Sequence, residues 1–147
     1  MESPRIKNLP LPRLLLELLR KGIGKELSAK KIAEVAPFLA EPMVFLESLE
    51  EIRAVSLQEE LLKEEIFGIK SSRASGDSVE LPFLDYDKSI NIAINRHPGD
   101  DISIVLDYRL GKREPRVLAS DFGQGHSHCV WRVVAQSLDE FVERVRA

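Results

Sequence analysis

The sequence predicts an α+β domain: a helical N-terminal half, a largely antiparallel sheet of four to six strands flanked by helices, and a closing C-terminal helix. Three observations carry this. Leu14, Leu15, Leu18 and Leu19 recur at helical spacing near the start of the chain. From Ser89 onward the apolar period falls to two, as in Ser89-Ile90-Asn91-Ile92-Ala93-Ile94-Asn95. Ser137-Leu138-Asp139-Glu140 then has the serine–glutamate spacing of a helix cap, with Phe141, Val142 and Val145 following on one face.

Taken in order, Asn8-Leu9-Pro10-Leu11-Pro12 reads as a helix start, because proline is tolerated in a first turn, and Gly22 and Gly24 read as the stop. Ser28 sits where an N-cap belongs for a short helix through Ile32, Val35 and Ala36, bent or ended by Pro37. Ser48 with Glu51, and Ser56 with Glu59, both fit the capping box. Residues 43–66 are therefore expected to form two consecutive helices, with Leu49, Ile52, Val55, Leu57, Leu61 and Leu62 facing the core. The run Ser71–Ser78 is rich in turn formers, lacks a hydrophobic period and reads as a mobile loop inside a single domain spanning 1–147.

After the strand at 89–95, His97-Pro98-Gly99-Asp100 reads as a turn. A second strand alternates through Ile102, Ile104, Leu106 and Tyr108, a third covers Val117 to Ser120, and a fourth runs from Cys129 to Val134. Period-two patterning of this kind predicts half-buried strands in a sheet covered on one side.

A chain of 147 residues is long enough to bury a core without a disulfide or metal. Its apolar runs are cut short by charge, so no membrane span is expected. The opening Met1-Glu2-Ser3-Pro4-Arg5 has no apolar signal core, and one cysteine cannot form an internal disulfide; both point to the cytoplasm. The net charge of −3 is unevenly spread. Residues 1–40 carry eight basic and four acidic side chains, whereas residues 41–65 carry eight acidic and two basic ones. That acidic block disfavours nucleic acid at its face and suits a basic protein partner such as a toxin, so no nucleic-acid partner is expected.

The stretch Gly123-Gln124-Gly125-His126-Ser127-His128-Cys129-Val130-Trp131 gathers two histidines and the cysteine. Its glycines suit a hairpin connection. On an extended chain His126 and His128 share a face and Cys129 takes the other, so only the histidines converge on a metal, and no cofactor is expected. Asp100 and Asp101 lack the repeated ligand spacing of a calcium loop, and Gly22-Ile23-Gly24-Lys25 lacks the spacing of a phosphate cradle. Asp107 reads as a sheet or turn partner and Trp131 as a core residue. No catalytic set assembles from local motifs.

In the C-terminal half, "GDDISIVLDYR" at 99–109, "PRVLASDF" at 115–122, "CVWRVVA" at 129–135 and "SLDEFVERV" at 137–145 form an ordered set that resembles the SUKH superfamily. That superfamily includes bacterial immunity proteins that neutralise toxins and a fungal regulator of cell-wall synthesis. Asp100, Asp101, Asp107 and Trp131 occupy its motif positions. The Leu-Gly and Leu-Pro signature of many members has no clean copy in residues 1–70. The resemblance implies a sheet flanked by helices and a role in binding rather than catalysis. The function expected is therefore a non-catalytic immunity protein that occludes a cognate toxin, with Glu47, Glu50, Glu51, Glu59, Glu60 and Glu64 as the partner-facing carboxylates. The alternatives are a regulatory scaffold and a metal-dependent enzyme centred on His126 and His128.

Overall fold

The computed structural model describes residues 4–39, 42–58, 80–81, 86–95, 102–111, 114–121 and 130–147. The chain opens with a small hairpin, β1 (Arg5–Ile6) and β2 (Leu9–Pro10), in place of an immediate helix start. Lys7 and Asn8 both take positive φ, 55° and 62°, the backbone of a two-residue turn that matches the twist of its strands. Helix α1 (Arg13–Lys21) begins only after Pro12 and buries Leu15 and Leu18. Gly22, at φ 95°, ends it in a conformation that L side chains rarely adopt. Gly24 is no stop, since it lies inside the short α2 (Ile23–Glu26).

A 3-10 turn, Ala29–Lys31, runs into α3 (Ile32–Val35). Ser28 precedes it but its hydroxyl caps nothing. Its N–H donates instead to the Val145 carbonyl at 2.6 Å, because the C-terminal tail docks alongside, pairing Leu27 with Arg146. The expectation of two helices over 43–66 is corrected at its start: β3 (Met43–Phe45) is a strand, and α4 (Leu49–Gln58) follows it. The continuation to residue 66 and the loop at 71–78 lie outside the described residues.

The remaining elements are β4 (Glu80–Leu81), β5 (Ser89–Asn95), β6 (Ser103–Asp107), β7 (Arg116–Asp121), β8 (Val130–Ala135) and α5 (Leu138–Val145). Six strands form one antiparallel sheet in the order β3-β5-β6-β7-β8-β4, an α+β architecture built on a four-strand meander with β3 and β4 at its edges. Helix α5 starts as its sequence indicates, with Ser137 Oγ accepting the Glu140 N–H at 3.2 Å. Among the described residues no helix is long and apolar enough to cross a membrane.

The sheet buries both faces of its central strands, where one covered face was expected. One face presents Ile90, Ile104, Leu106, Val117 and Ala119 to a core shared with Leu15, Leu18, Ile23, Phe141 and Val145. Fully burying a side chain the size of Phe141 contributes about 1.5–3 kcal/mol. The other face carries Ser89, Asn91, Ser103, Asp107, Arg116 and Ser120 beside Val105, Leu118 and Trp131, all buried. Alternation with polar residues therefore does not mean water on that side. Some of its polar groups pair within the fold, as where the Ser103 N–H donates to Ser120 Oγ at 2.9 Å and extends the β6–β7 ladder by a side chain. The buried side-chain amide of Asn91, by contrast, has no hydrogen-bond partner among the described residues.

The outer edge of β5 joins the two halves of the chain. Strand β3 covers only Ala93 to Asn95. Below it the Ile92 carbonyl accepts the Leu46 N–H at 2.9 Å, the Asn91 N–H donates to Ser56 Oγ at 3.0 Å, and the Ser89 carbonyl accepts Lys7 Nζ at 3.0 Å. Ser56→Ala leaves a buried N–H without its acceptor, so we expect a loss of about 1–3 kcal/mol in urea unfolding. Tyr108, buried, donates its hydroxyl to the Pro10 carbonyl at 2.8 Å, and burial pushes its phenol above the ordinary value. The folded state thus holds this proton more tightly than the unfolded chain. That contribution is intact below about pH 10, where an unfolded tyrosine titrates, and is lost as pH rises further. Tyr108→Phe should flatten the fall in unfolding midpoint across that alkaline range.

Candidate functional site

The start of α4 is built by a displaced capping box. Ser48 Oγ accepts the Glu51 N–H at 3.1 Å, while Glu51 Oε1 accepts the N–H of Glu47 at 2.7 Å, one residue before the serine. The Glu47 carboxylate in turn lies against Gly24, whose N–H is 3.5 Å from Oε1. A Cβ at Gly24 would collide with that carboxylate, so the glycine leaves the space in which Glu47 sits. Two of the six expected partner-facing carboxylates, Glu47 and Glu51, are therefore exposed but tied to local structure, and Glu50 is exposed without such a tie. Glu59, Glu60 and Glu64 lie outside the described residues.

The helix buries Ile52 and Ser56 and half-buries Leu49 and Val55, leaving Glu50, Glu51, Arg53, Ala54 and Leu57 outward. Leu57 is 45% exposed, which corrects its expected core position. The reason is that α4 continues through Ser56 instead of restarting there. At about 100° per residue Ser56 falls roughly 40° from Ile52 and Leu57 roughly 140° away, so the serine takes the inward slot. Its hydroxyl, expected to cap a second helix, is committed to Asn91. The outer face of α4 consequently combines two acidic side chains and one basic one, Arg53, with one large apolar side chain.

Asp107 occupies the polar face of the sheet, directly across from Arg116 in the β6–β7 register. Arg109 Nε donates to its Oδ1 at 2.8 Å and Arg116 Nε to its Oδ2 at 2.7 Å, with all three side chains almost wholly buried. Trp131 is fully buried on the same face, opposite Ser120. On the helix-covered face, Arg132 donates to Asp121 at 2.6 Å and lies over the Phe38 ring, 5.8 Å from its centroid. These groups knit β-strands together, and nothing in their geometry presents a nucleophile or an acid–base pair to solvent.

His126, His128, Asp100 and Asp101 lie outside the described residues. Among the described residues no group of three His, Cys, Asp or Glu side chains could hold a metal ion. A surface recess between the starts of α1 and α5, lined by Arg13, Glu17, Glu114 and Asp139 with Pro12 and Leu14, also escaped sequence reasoning. Its members are far apart in the chain and share no motif.

Asp107→Ala removes the carboxylate shared by two buried guanidinium groups. We expect it to destabilise the fold by about 3–5 kcal/mol in urea or thermal unfolding. No protein-family model, curated protein or solved structure matches this chain. Its function is therefore argued from its own surfaces.

Proposed function

We propose that this chain is a non-catalytic protein-binding module, an immunity protein of the cytoplasm that neutralises a cognate toxin by occluding a basic cleft. The outer face of α4 carries this proposal. Glu50 and Glu51 supply negative charge, and Leu57 supplies an apolar anchor on the same helix, with Ala54 and the basic Arg53 between them. Protein interfaces draw most of their affinity from a few buried apolar or aromatic contacts, while surrounding charge sets specificity and association rate. The ordered motifs shared with the SUKH superfamily support the same class of function from the sequence side.

The division of labour among the carboxylates sets the test. Glu47 and Glu51 maintain the helix start, so changing them perturbs folding as well as binding. Glu50 and Leu57 carry no such load in that cap. The partner is to be identified by purifying the protein with a non-histidine tag at low salt, and its affinity for the variants measured by calorimetry and stopped-flow. Leu57→Ser should weaken binding about tenfold or more, which is about 1.4 kcal/mol. Glu50→Lys should slow association and flatten its dependence on salt. Unchanged affinity and kinetics in both variants would dismiss α4 as the binding face.

A further inference from the structure

A second charged surface lies on the N-terminal layer. Arg20 and Lys21 end α1, Lys25 lies in α2, Lys30 and Lys31 form most of the following 3-10 turn, and all five are exposed. Exposed Arg146 joins them through the docked tail, where the Arg146 carbonyl accepts Lys31 Nζ at 2.7 Å and Leu27 pairs with Arg146. The stem of Lys25 folds back over Gly22, with its Cδ 3.5 Å from where a Cβ would stand, and so lies at the end of α1. Between residues 20 and 31 the only acid is the half-buried Glu26. None of these six cations takes part in the ion pairs at Asp107, Asp121 and Glu140. Placing Arg20 and Lys21 at a helix C-terminus is ordinary dipole compensation, and Lys31 holds the docked tail, but Lys25, Lys30 and Arg146 are left without such a role.

What this surface lacks identifies its partner. The large exposed apolar side chains among the described residues are Leu57 and Leu110, on α4 and after β6, so the basic pole has no apolar centre. A protein interface of useful strength needs such a centre. Insertion into a lipid surface needs an apolar face, and binding of single strands needs exposed aromatic rings on which bases stack. The phosphate backbone of a duplex needs only cations, each of which releases condensed counterions. We propose that this pole binds the phosphate backbone of duplex nucleic acid, weakly and without sequence preference. The nucleic-acid exclusion argued from charge applies to the acidic block and not to this surface. Glu26, within α2, and Glu47, against Gly24, border the pole and limit its affinity.

The test is fluorescence anisotropy with a labelled DNA duplex of about 20 base pairs, whose binding should weaken with salt at a log–log slope of about −3.6 to −5.4 for four to six neutralised phosphates. The triple variant Lys21→Glu/Lys25→Glu/Lys30→Glu should lose at least about tenfold in affinity while keeping the wild-type unfolding midpoint. It spares Lys31, which holds the tail. Should charge reversal disturb folding, the corresponding Lys→Gln variant serves, with a smaller loss and a slope shallower by up to about three. Glu50→Lys, on α4, should not weaken binding. The proposal is overturned if the wild type fails to bind the duplex at about 50 mM salt, if the lysine variants bind as well as the wild type, or if phosphatidylserine vesicles are bound and the duplex is not.

Discussion

The outward edge of β5 is the constraint on which the arrangement of the N-terminal half depends. A buried strand cannot leave its N–H and C=O groups unpaired, because each orphaned group costs about as much as a lost hydrogen bond. Strand β3 is only three residues long and covers the upper part of that edge. The rest is completed by the Leu46 backbone, the Ser56 hydroxyl and the Lys7 ammonium, drawn from the β3–α4 connection, α4 and the β1–β2 turn. Helix α4 is thus fixed by a polar requirement as well as by Ile52. Its outer face, with Glu50 and Leu57, follows from that anchoring.

The polar face of the sheet shows the same accounting in the interior. Asp107 neutralises part of the charge of Arg109 and Arg116 across and along the strands, and Ser120 completes the end of the β6–β7 ladder. Such groups contribute little beyond a well-packed apolar alternative, yet removing one partner is expensive because the other stays buried. The motif positions Asp107 and Trp131 are both interior.

Charge asymmetry along the chain becomes two surfaces of different kind. The acidic stretch contributes carboxylates to the start of α4, where two of them do local structural work and a third, Glu50, stands on the same exposed side as Leu57. The basic stretch is gathered by α1, α2 and the docked tail into a pole without apolar contact area. The first is the surface proposed to meet a protein partner and the second the one proposed to meet phosphates.

Local patterns were legible where the structure is local. The strand over Ser89–Asn95, the serine caps at Ser48 and Ser137, and the buried face of α5 each depend on residues a few positions apart, and all are present in the fold. A register shift between Asn91 and Ala93 nevertheless breaks the expected alternation, so that Ile90 pairs with Leu106 on the core face and Ile94 with Ser103 on the polar one. The sequence could not show that Leu9–Pro10 would pair with Arg5–Ile6, that Met43–Phe45 would join a sheet whose other strands lie beyond residue 80, or that Asp107 would meet Arg116. Ser56 makes the distinction plain. Its spacing to Glu59 is that of a cap, and a hydroxyl satisfies a helix terminus or a strand edge equally well. Only the approach of β5 supplied the Asn91 N–H, kept the helix running through Ser56, and turned Leu57 outward. The sequence by itself determined where helices and strands are favoured, because dihedral preferences and apolar periods are short-range. Tertiary structure decided which polar groups are spent internally and which remain at the surface, because that depends on partners brought from elsewhere in the chain.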